Sequence, residues 1–236
     1  MKPVGIFRHS ITEGPGYFAT FLDRCRIPWR LIRLDEGETV PADVGAFSGF
    51  GFMGGPMSVN DSLPWIAPVL ELIRSAVRDD IPVIGHCLGG QLMSRALGGV
   101  VSLNPVKEIG WGRVDALPGA EARRWLGDQA SFESFHWHGE TFTIPAQAVR
   151  IAASDYCTNQ MFSMGKNLAM QCHVEMTEEL IATWCADWDS ALQALAQQAP
   201  SVQTPQEMLR AVNEKTARLH RVADGIYGEW VKGLVR

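Results

Sequence analysis

The sequence predicts an α/β fold, with a mostly parallel sheet covered by helices on both faces. Three observations predict it. Short apolar runs alternate with helix-patterned segments through the first hundred residues. Glycine and proline mark the turns between them. A buried strand also runs straight into a glycine-flanked cysteine that opens a helix. Strand–helix–strand–helix order is the signature of a parallel sheet with two covered faces.

Residues 3–7 read as the first strand, 17–24 as a short helix after a Gly14–Gly16 loop, and 29–34 as the second strand. Residues 46–53 read as the third strand, ending at Gly54-Gly55-Pro56. Residues 65–77 carry apolar side chains at helical spacing after Pro64. Residues 82–84 form a short buried strand, and 88–97 a helix closed by Gly98-Gly99. From Val100 the pattern changes to short strand-like runs at 100–103, 110–116, 131–137, 150–154, 161–164 and 168–172. These predict a mixed or antiparallel extension of the sheet.

The C-terminal part predicts two helices. In the first, Thr177 is the N-cap, Glu178 and Glu179 sit in the first turn, and Leu180, Trp184, Trp188, Leu192 and Leu195 share one face. The second opens at a Thr204-Pro205-Gln206-Glu207 capping box and carries Met208, Val212, Leu219, Val222, Ile226 and Trp230. With no repeat and no linker composition, the expectation is one domain over 1–236, with a core at about 1–180 and a helical extension at about 177–236.

Composition narrows the function. The chain has 236 residues, 46% hydrophobic and 20% charged, with a formal net charge of −5. There is no basic patch for nucleic acid and no basic amphipathic stripe for a membrane surface. No run approaches the ~18 apolar residues that span a bilayer. The opening MKPVGIFRHSITEG lacks an apolar signal core. The five cysteines, Cys25, Cys87, Cys157, Cys172 and Cys185, are odd in number, irregularly spaced and without a CxxC pair. Free thiols in a reducing, cytoplasmic compartment are expected.

The strongest local signal is IPVIGHCLGGQLMSRALGG, residues 81–99. Gly85-His86-Cys87-Leu88-Gly89 between a strand and a helix is the thiol counterpart of a nucleophile elbow. The turn is sharp, so flanking positions must be small. The positive end of the helix dipole favours a thiolate at Cys87, and the Leu88 N–H points beside the sulfur where an oxyanion would form. Most cysteines are small buried hydrophobes; the strand–elbow–helix context reverses that default here.

A thiolate needs an acid/base partner. In Gln171-Cys172-His173-Val174-Glu175, residues two apart on a strand share a face, so Glu175 can orient His173 while Cys172 turns to the core.

These segments together resemble the class I (triad) glutamine amidotransferases, whose pattern is a G-x-C-x-G-x-Q elbow followed by H-x-E. The glutaminase domain of GMP synthase is similar. The resemblance covers roughly residues 45–180, and four segments agree in order. It implies a flavodoxin-like three-layer sandwich with the elbow at the carboxyl edge of the sheet. It also implies a catalytic triad of Cys87, His173 and Glu175, and an oxyanion hole of the Gly55 and Leu88 N–H groups. Gly54, Gly89 and Gln91, with His136, Trp137, His138, Gly139 and Glu140, are implied to hold the substrate. Val174 replaces the proline common in the family's H-P-E. No nucleotide-binding sequence accompanies these motifs.

The expected reaction is hydrolysis of the glutamine side-chain amide through a cysteine thioester, without cofactor or metal. The same triad would also serve a γ-glutamyl peptide hydrolase. A non-catalytic binding module is disfavoured by the presence of all three triad residues. His136 and His138 form an H-x-H pair, but no third metal ligand is spaced nearby in sequence. A separate synthetase subunit and a homodimer are the macromolecular partners the resemblance leaves open.

Overall fold

The computed structural model describes residues 1–235. The strands are β1 (Val4–Arg8), β2 (Trp29–Arg33), β3 (Gly49–Phe52), β4 (Val83–His86), β5 (Val101–Ala116), β6 (Ser131–Phe142), β7 (Val149–Ala153), β8 (Met161–Met164) and β9 (Asn167–Met170). The helices are α1 (Gly16–Arg24), α2 (Ile66–Arg78), α3 (Leu88–Ala96), α4 (Ala120–Leu126), α5 (Glu178–Ala186), α6 (Ser190–Ala196), α7 (Pro205–Leu209) and α8 (Val212–Trp230).

All nine strands belong to one sheet in the order β2-β1-β3-β4-β9-β8-β7-β5-β6. The first five in that order run parallel; the remaining pairings are antiparallel. This is the mixed sheet that the two sequence patterns predict. Every residue of β3, β4 and β9 is buried, because helices cover both faces of a parallel sheet and leave neither one for water.

Alternation along the strands sorts the core into two layers. Val4 and Ile6 of β1, Ile84 of β4 and Leu168 and Met170 of β9 face α1, α4, α5 and α8. Phe7, Phe50, Phe52, Val83 and Ala169 face α2 and α3. The result is a three-layer sandwich.

The structure revises three elements. The runs at 100–103 and 110–116 are one strand, β5, whose pairing with β6 shifts register between Leu103 and Glu108. Helix α4 follows Gly119, in a segment with too few apolar residues for periodicity to reveal it. The C-terminal extension holds four helices where periodicity predicts two. Asp189 caps α6 by accepting from Leu192 N–H, which stops α5 at Ala186; an Asp side chain competes for backbone donors and favours caps over helix interiors. Ala211 takes a left-handed conformation (φ 54°) that separates α7 from α8. The capping box at Thr204 and Glu207 forms as expected.

The extension is not an appendage. Ile226, Tyr227 and Trp230 of α8 are buried against α1 and the sheet, and Phe18 lies 4.8 Å from Tyr227 and 5.5 Å from Trp230 between ring centroids. Truncation after Thr177 should therefore strip one face of the core and produce aggregation. Size-exclusion chromatography checks this; a soluble, monomeric truncated chain would contradict it.

Candidate active site

The carboxyl ends of four adjacent parallel strands deliver the candidate residues to one place. After β1 comes the loop from His9 to Pro15, after β3 Gly54-Gly55-Pro56, after β4 Cys87, and after β9 His173 and Glu175. Ligands of open α/β sheets bind at this edge.

Cys87 is the N-cap residue of α3 and has φ 50° and ψ −108°, a region that L-residues seldom occupy. Such a conformation costs on the order of 1–3 kcal/mol and persists only where the surroundings impose it. Here they do. A Cβ on Gly85 would lie 2.5 Å from the carbonyl of Gly89, and one on Gly89 would lie 2.2 Å from the Phe52 carbonyl. The Cys87 N–H is held by Met170 O at 2.8 Å. Strand, elbow and helix thus touch backbone to backbone, and only glycine fits between.

The triad candidates meet. His173 Nδ1 lies 2.6 Å from Glu175 Oε1, with both side chains buried. The two residues lie beyond β9, and His173 is anchored by a bridge to Phe135. His173 Nε2 has no hydrogen-bonded partner among the described residues and lies within electrostatic reach of the Cys87 sulfur. Burial alone would depress the His173 pKa, but Glu175 on one side and Cys87 on the other reverse this and hold it well above its ordinary value. For Glu175, burial acts to raise the pKa; His173 and then His86 outweigh it and leave the carboxyl below its usual range. The arrangement places an imidazolium between the Cys87 sulfur and a carboxylate. Trp184 of α5 stands edge-on to His173, ring centroids 5.0 Å apart.

The remaining predicted residues distribute as follows. Gly55, Cys87, Gln91, Trp137, His138, Gly139, Glu140 and His173 line one cavity of about 500 Å³. Gly54 borders His173: a Cβ there would lie 3.2 Å from the imidazole. Leu88 and Gly89 form the first turn of α3. Gln91 Nε2 donates to Gln171 Oε1 at 3.2 Å, and Gln171 Nε2 lies 3.5 Å from the Cys87 sulfur, so this amide pair backs the nucleophile. Cys172 is fully buried, and burial pushes its thiol up to about 12.

His136 departs from expectation. It is absent from the cavity wall and lies packed against Gly112, where burial lowers its pKa to about 4. A third ligand-type residue does exist near the H-x-H pair, contrary to the sequence spacing. Glu108 comes from β5, and its carboxylate, His136 and His138 present ligand atoms within 4.8 Å of one another. The protein's own groups occupy this cluster. His138 Nε2 and Gln160 Nε2 approach Glu108 Oε2 at 2.9 and 2.7 Å, Ser154 Oγ donates to Oε1 at 2.7 Å, and His138 Nδ1 meets Glu140 O at 2.9 Å.

Sequence reasoning missed Glu13, Trp184, Asp187 and Leu192, which also line the cavity. For Glu13 a signal was available: it lies in the glycine-rich loop after the first parallel strand, at the edge where ligands bind. His86 and Tyr227 were missed as well. His86 Nε2 lies 2.9 Å from Tyr227 Oη and 3.9 Å from Glu175 Oε2, so α8 reaches to the back of the triad.

Comparisons with known proteins place the chain in a family. The model of the family described as glutamine amidotransferase class-I matches residues 26–182. The chain belongs to the class-I glutamine amidotransferase family. It is 35% identical over 159 residues to the glutamine amidotransferase-like protein YfeJ of Salmonella typhimurium, covering 63% of this chain and 65% of that one. It is 26% identical over 178 residues to gamma-glutamyl peptidase 3 of Arabidopsis thaliana, covering 70% and 71%. A match to the glutamine-hydrolysing GMP synthase of Aromatoleum aromaticum, 30% identical, spans 56% of this chain and only 26% of that enzyme. Among solved structures, a glutamine amidotransferase from Methylobacillus flagellatus is 41% identical with a TM-score of 0.94, covering 100% of this chain and 96% of that one. One from Thermotoga maritima, 23% identical with a TM-score of 0.85 over 97% of each chain, shares the fold.

The electrostatic triad makes a measurable prediction. Cys87→Ser and Glu175→Gln should each lower the His173 pKa, because each removes a negative group that favours the imidazolium. NMR titration of the imidazole checks this; an unchanged value in both variants would show that the pairing does not form.

Proposed function

We propose that this chain hydrolyses the side-chain amide of a γ-glutamyl group, with glutamine as the simplest substrate, through a thioester on Cys87. The observation that carries this reading is a strained cysteine facing a histidine whose other nitrogen is held at 2.6 Å by a buried carboxylate. That is a nucleophile, a proton carrier and an orienting group in register.

The Cys87 thiolate adds to the γ-carbonyl carbon, and the Gly55 and Leu88 N–H groups donate to the oxyanion. One such donor is typically worth ~3 kcal/mol of transition-state stabilisation. His173 Nε2 gives its proton to the departing nitrogen as the C–N bond breaks, leaving the thioester. His173 then takes a proton from water, the hydroxide adds to the thioester carbonyl, and the thiolate leaves as glutamate is released. Glu175 keeps the imidazole in the tautomer that does this. Trp137, His138, Gly139 and Glu140, with Gln91, form the wall on which the glutamyl moiety rests.

A second reading, hydrolysis of γ-glutamyl bonds to amines larger than ammonia, is favoured by the cavity itself. About 500 Å³ lies within the range of pockets that house drug-sized ligands, more than free glutamine fills. Trp184, Asp187 and Leu192 of the extension, with Leu103 and Lys107 of β5, line the space around the triad. The gamma-glutamyl peptidase relative is consistent with this reading. Incubation with glutamine and with γ-glutamyl dipeptides, assaying free glutamate, ammonia and released amine, separates the two. Release of glutamate from none of them refutes both.

Cys87→Ser should reduce turnover by about 10³- to 10⁶-fold while the fold persists. His173→Ala should cost more than Glu175→Gln, since His173 transfers protons and Glu175 orients it. Equal kcat losses in two folded variants would overturn these roles. An electrophilic glutamine analogue should label Cys87 alone; peptide mapping that finds the label on Cys157 or Cys172 would contradict the mechanism.

A further inference from the structure

Glu13 is the one acidic side chain from the β1–α1 loop that lines the cavity. The loop is fixed on both sides: Glu13 N–H donates to Ser10 O at 3.0 Å, and Trp184 Nε1 donates to Thr12 O at 2.9 Å. The carboxyl lies against the triad. A Cβ built on Gly54 would lie 2.6 Å from Glu13 Oε2 and 3.2 Å from His173 Cε1, so the carboxyl and the imidazole crowd the same point from two directions. Gly54 leaves the space that the carboxyl occupies. No hydrogen bond or ion pair among the described residues takes up the Glu13 side chain. Burial pushes its pKa up to about 8, with the nearby His173 imidazolium opposing the rise and Glu175 adding to it. Half-buried on the cavity wall and without a cation of its own, the Glu13 carboxyl is open to a donor that enters the cavity.

We propose that Glu13 receives the scissile nitrogen: its carboxylate accepts an N–H of the substrate amide and holds the nitrogen beside His173 while it is protonated in the tetrahedral adduct. This rests on the hydrolase reading above and deepens it. During acylation the C–N bond breaks, its electron pair goes to nitrogen, and the proton comes from His173 Nε2. The nitrogen is neutral in the substrate amide, carries positive charge once His173 has protonated it in the tetrahedral adduct, and leaves as neutral ammonia or amine when the C–N bond breaks. A carboxylate at that spot therefore stabilises the later charge distribution more than the earlier one, which is what lowers a barrier. Any proton Glu13 carries in the free protein passes to water through the open cavity as the cation forms. The same contact selects the leaving group: ammonia and primary amines satisfy it, whereas an alcohol has neither the N–H nor the charge.

The test compares the wild-type protein with Glu13→Gln and Glu13→Ala on three substrates at a pH above 8, where Glu13 is ionised. The substrates are glutamine, a γ-glutamyl dipeptide and the γ-methyl ester of glutamate. All three form the same thioester, and only the ester departs as an alcohol. Loss of a hydrogen bond to a charged group predicts a fall in kcat/KM of about 10- to 100-fold for the amides that are turned over. The ester should stay within about threefold, which also shows that the variants are folded. An equal fall on amide and ester would mean that Glu13 binds the shared glutamyl portion or merely shapes His173, and no fall on the amides would mean that it touches nothing; either overturns the assignment. A wild-type protein inert toward all three substrates refutes the hydrolase reading itself, a result distinct from either.

Discussion

One constraint sets the geometry of the candidate site: the contact of α3 with the two strands that flank its entry. Gly89 meets the Phe52 carbonyl of β3, and Gly90 meets the Met170 carbonyl of β9 so closely that a Cβ there would lie 2.4 Å away. Met170 O also accepts the Cys87 N–H. One helix start is therefore locked to both neighbouring strand ends. The loop after β3 carries Gly54 and Gly55; the segment after β9 carries His173 and Glu175. Fixing α3 fixes the spacing between Cys87, the glycine turn and His173 at once. The unusual Cys87 backbone is the cost of that lock, and the tight packing on three sides is what sustains it.

Around this lock the titratable groups form a chain, in which burial keeps His86 and Tyr227 neutral. Cys87 faces His173, His173 meets Glu175, and Glu175 lies 3.9 Å from His86, which contacts Tyr227 of α8. Removing one member of such a buried set leaves its partner uncompensated, which costs far more than the net worth of the pair. Linkage gives the pH signs. His173 has a raised pKa when folded, so its contribution to stability is fully present below its ordinary value of 6.5 and is lost as pH rises through the folded value. Glu175 has a depressed value, so its contribution is present above the ordinary 4.5 and is lost as pH falls through the folded value. The window between about pH 4.5 and 6.5 is where both are fully expressed.

What could be read from the sequence follows from how locally each feature is encoded. The elbow is contiguous: strand, small residues, cysteine and helix all lie within residues 81–99, so its geometry is written in one stretch. His173 and Glu175 are two residues apart and meet at 2.6 Å, although both lie beyond the end of β9, where the bridge of His173 to Phe135 holds the segment. The strands were visible because alternation or continuous burial is a local pattern. The features that escaped are made by partners far apart in the chain. Glu108 joins His138 across two strands, Tyr227 reaches His86 across 141 positions, and Trp184 caps a histidine on another element. The four helices of the extension escaped for another reason. Their apolar residues keep helical spacing across the breaks at Asp187–Asp189 and at Ala211, so periodicity runs through a cap that only backbone geometry reveals. His136 was placed correctly on the face it shares with His138, but alternation cannot say whether that face opens on a cavity or on packed side chains.

The candidate triad and the rest of the cavity wall come from different parts of the chain, and Trp184 joins them. The triad, the elbow and the glycine turn come from strand ends inside the region the family model matches, residues 26–182. Trp184, Asp187 and Leu192 lie beyond that region, in the helical extension, yet they close the cavity beside His173. The Trp184 ring stands against the His173 imidazole and stacks edge-on with Trp137, whose backbone carbonyl faces the Cys87 sulfur. Its indole N–H also holds the carbonyl of Thr12, the residue before Glu13. A change in the extension that moves this one side chain would shift the imidazole, the substrate wall and the acidic loop together. The cavity wall can in this way be reshaped from the extension without any change in Cys87, His173 or Glu175.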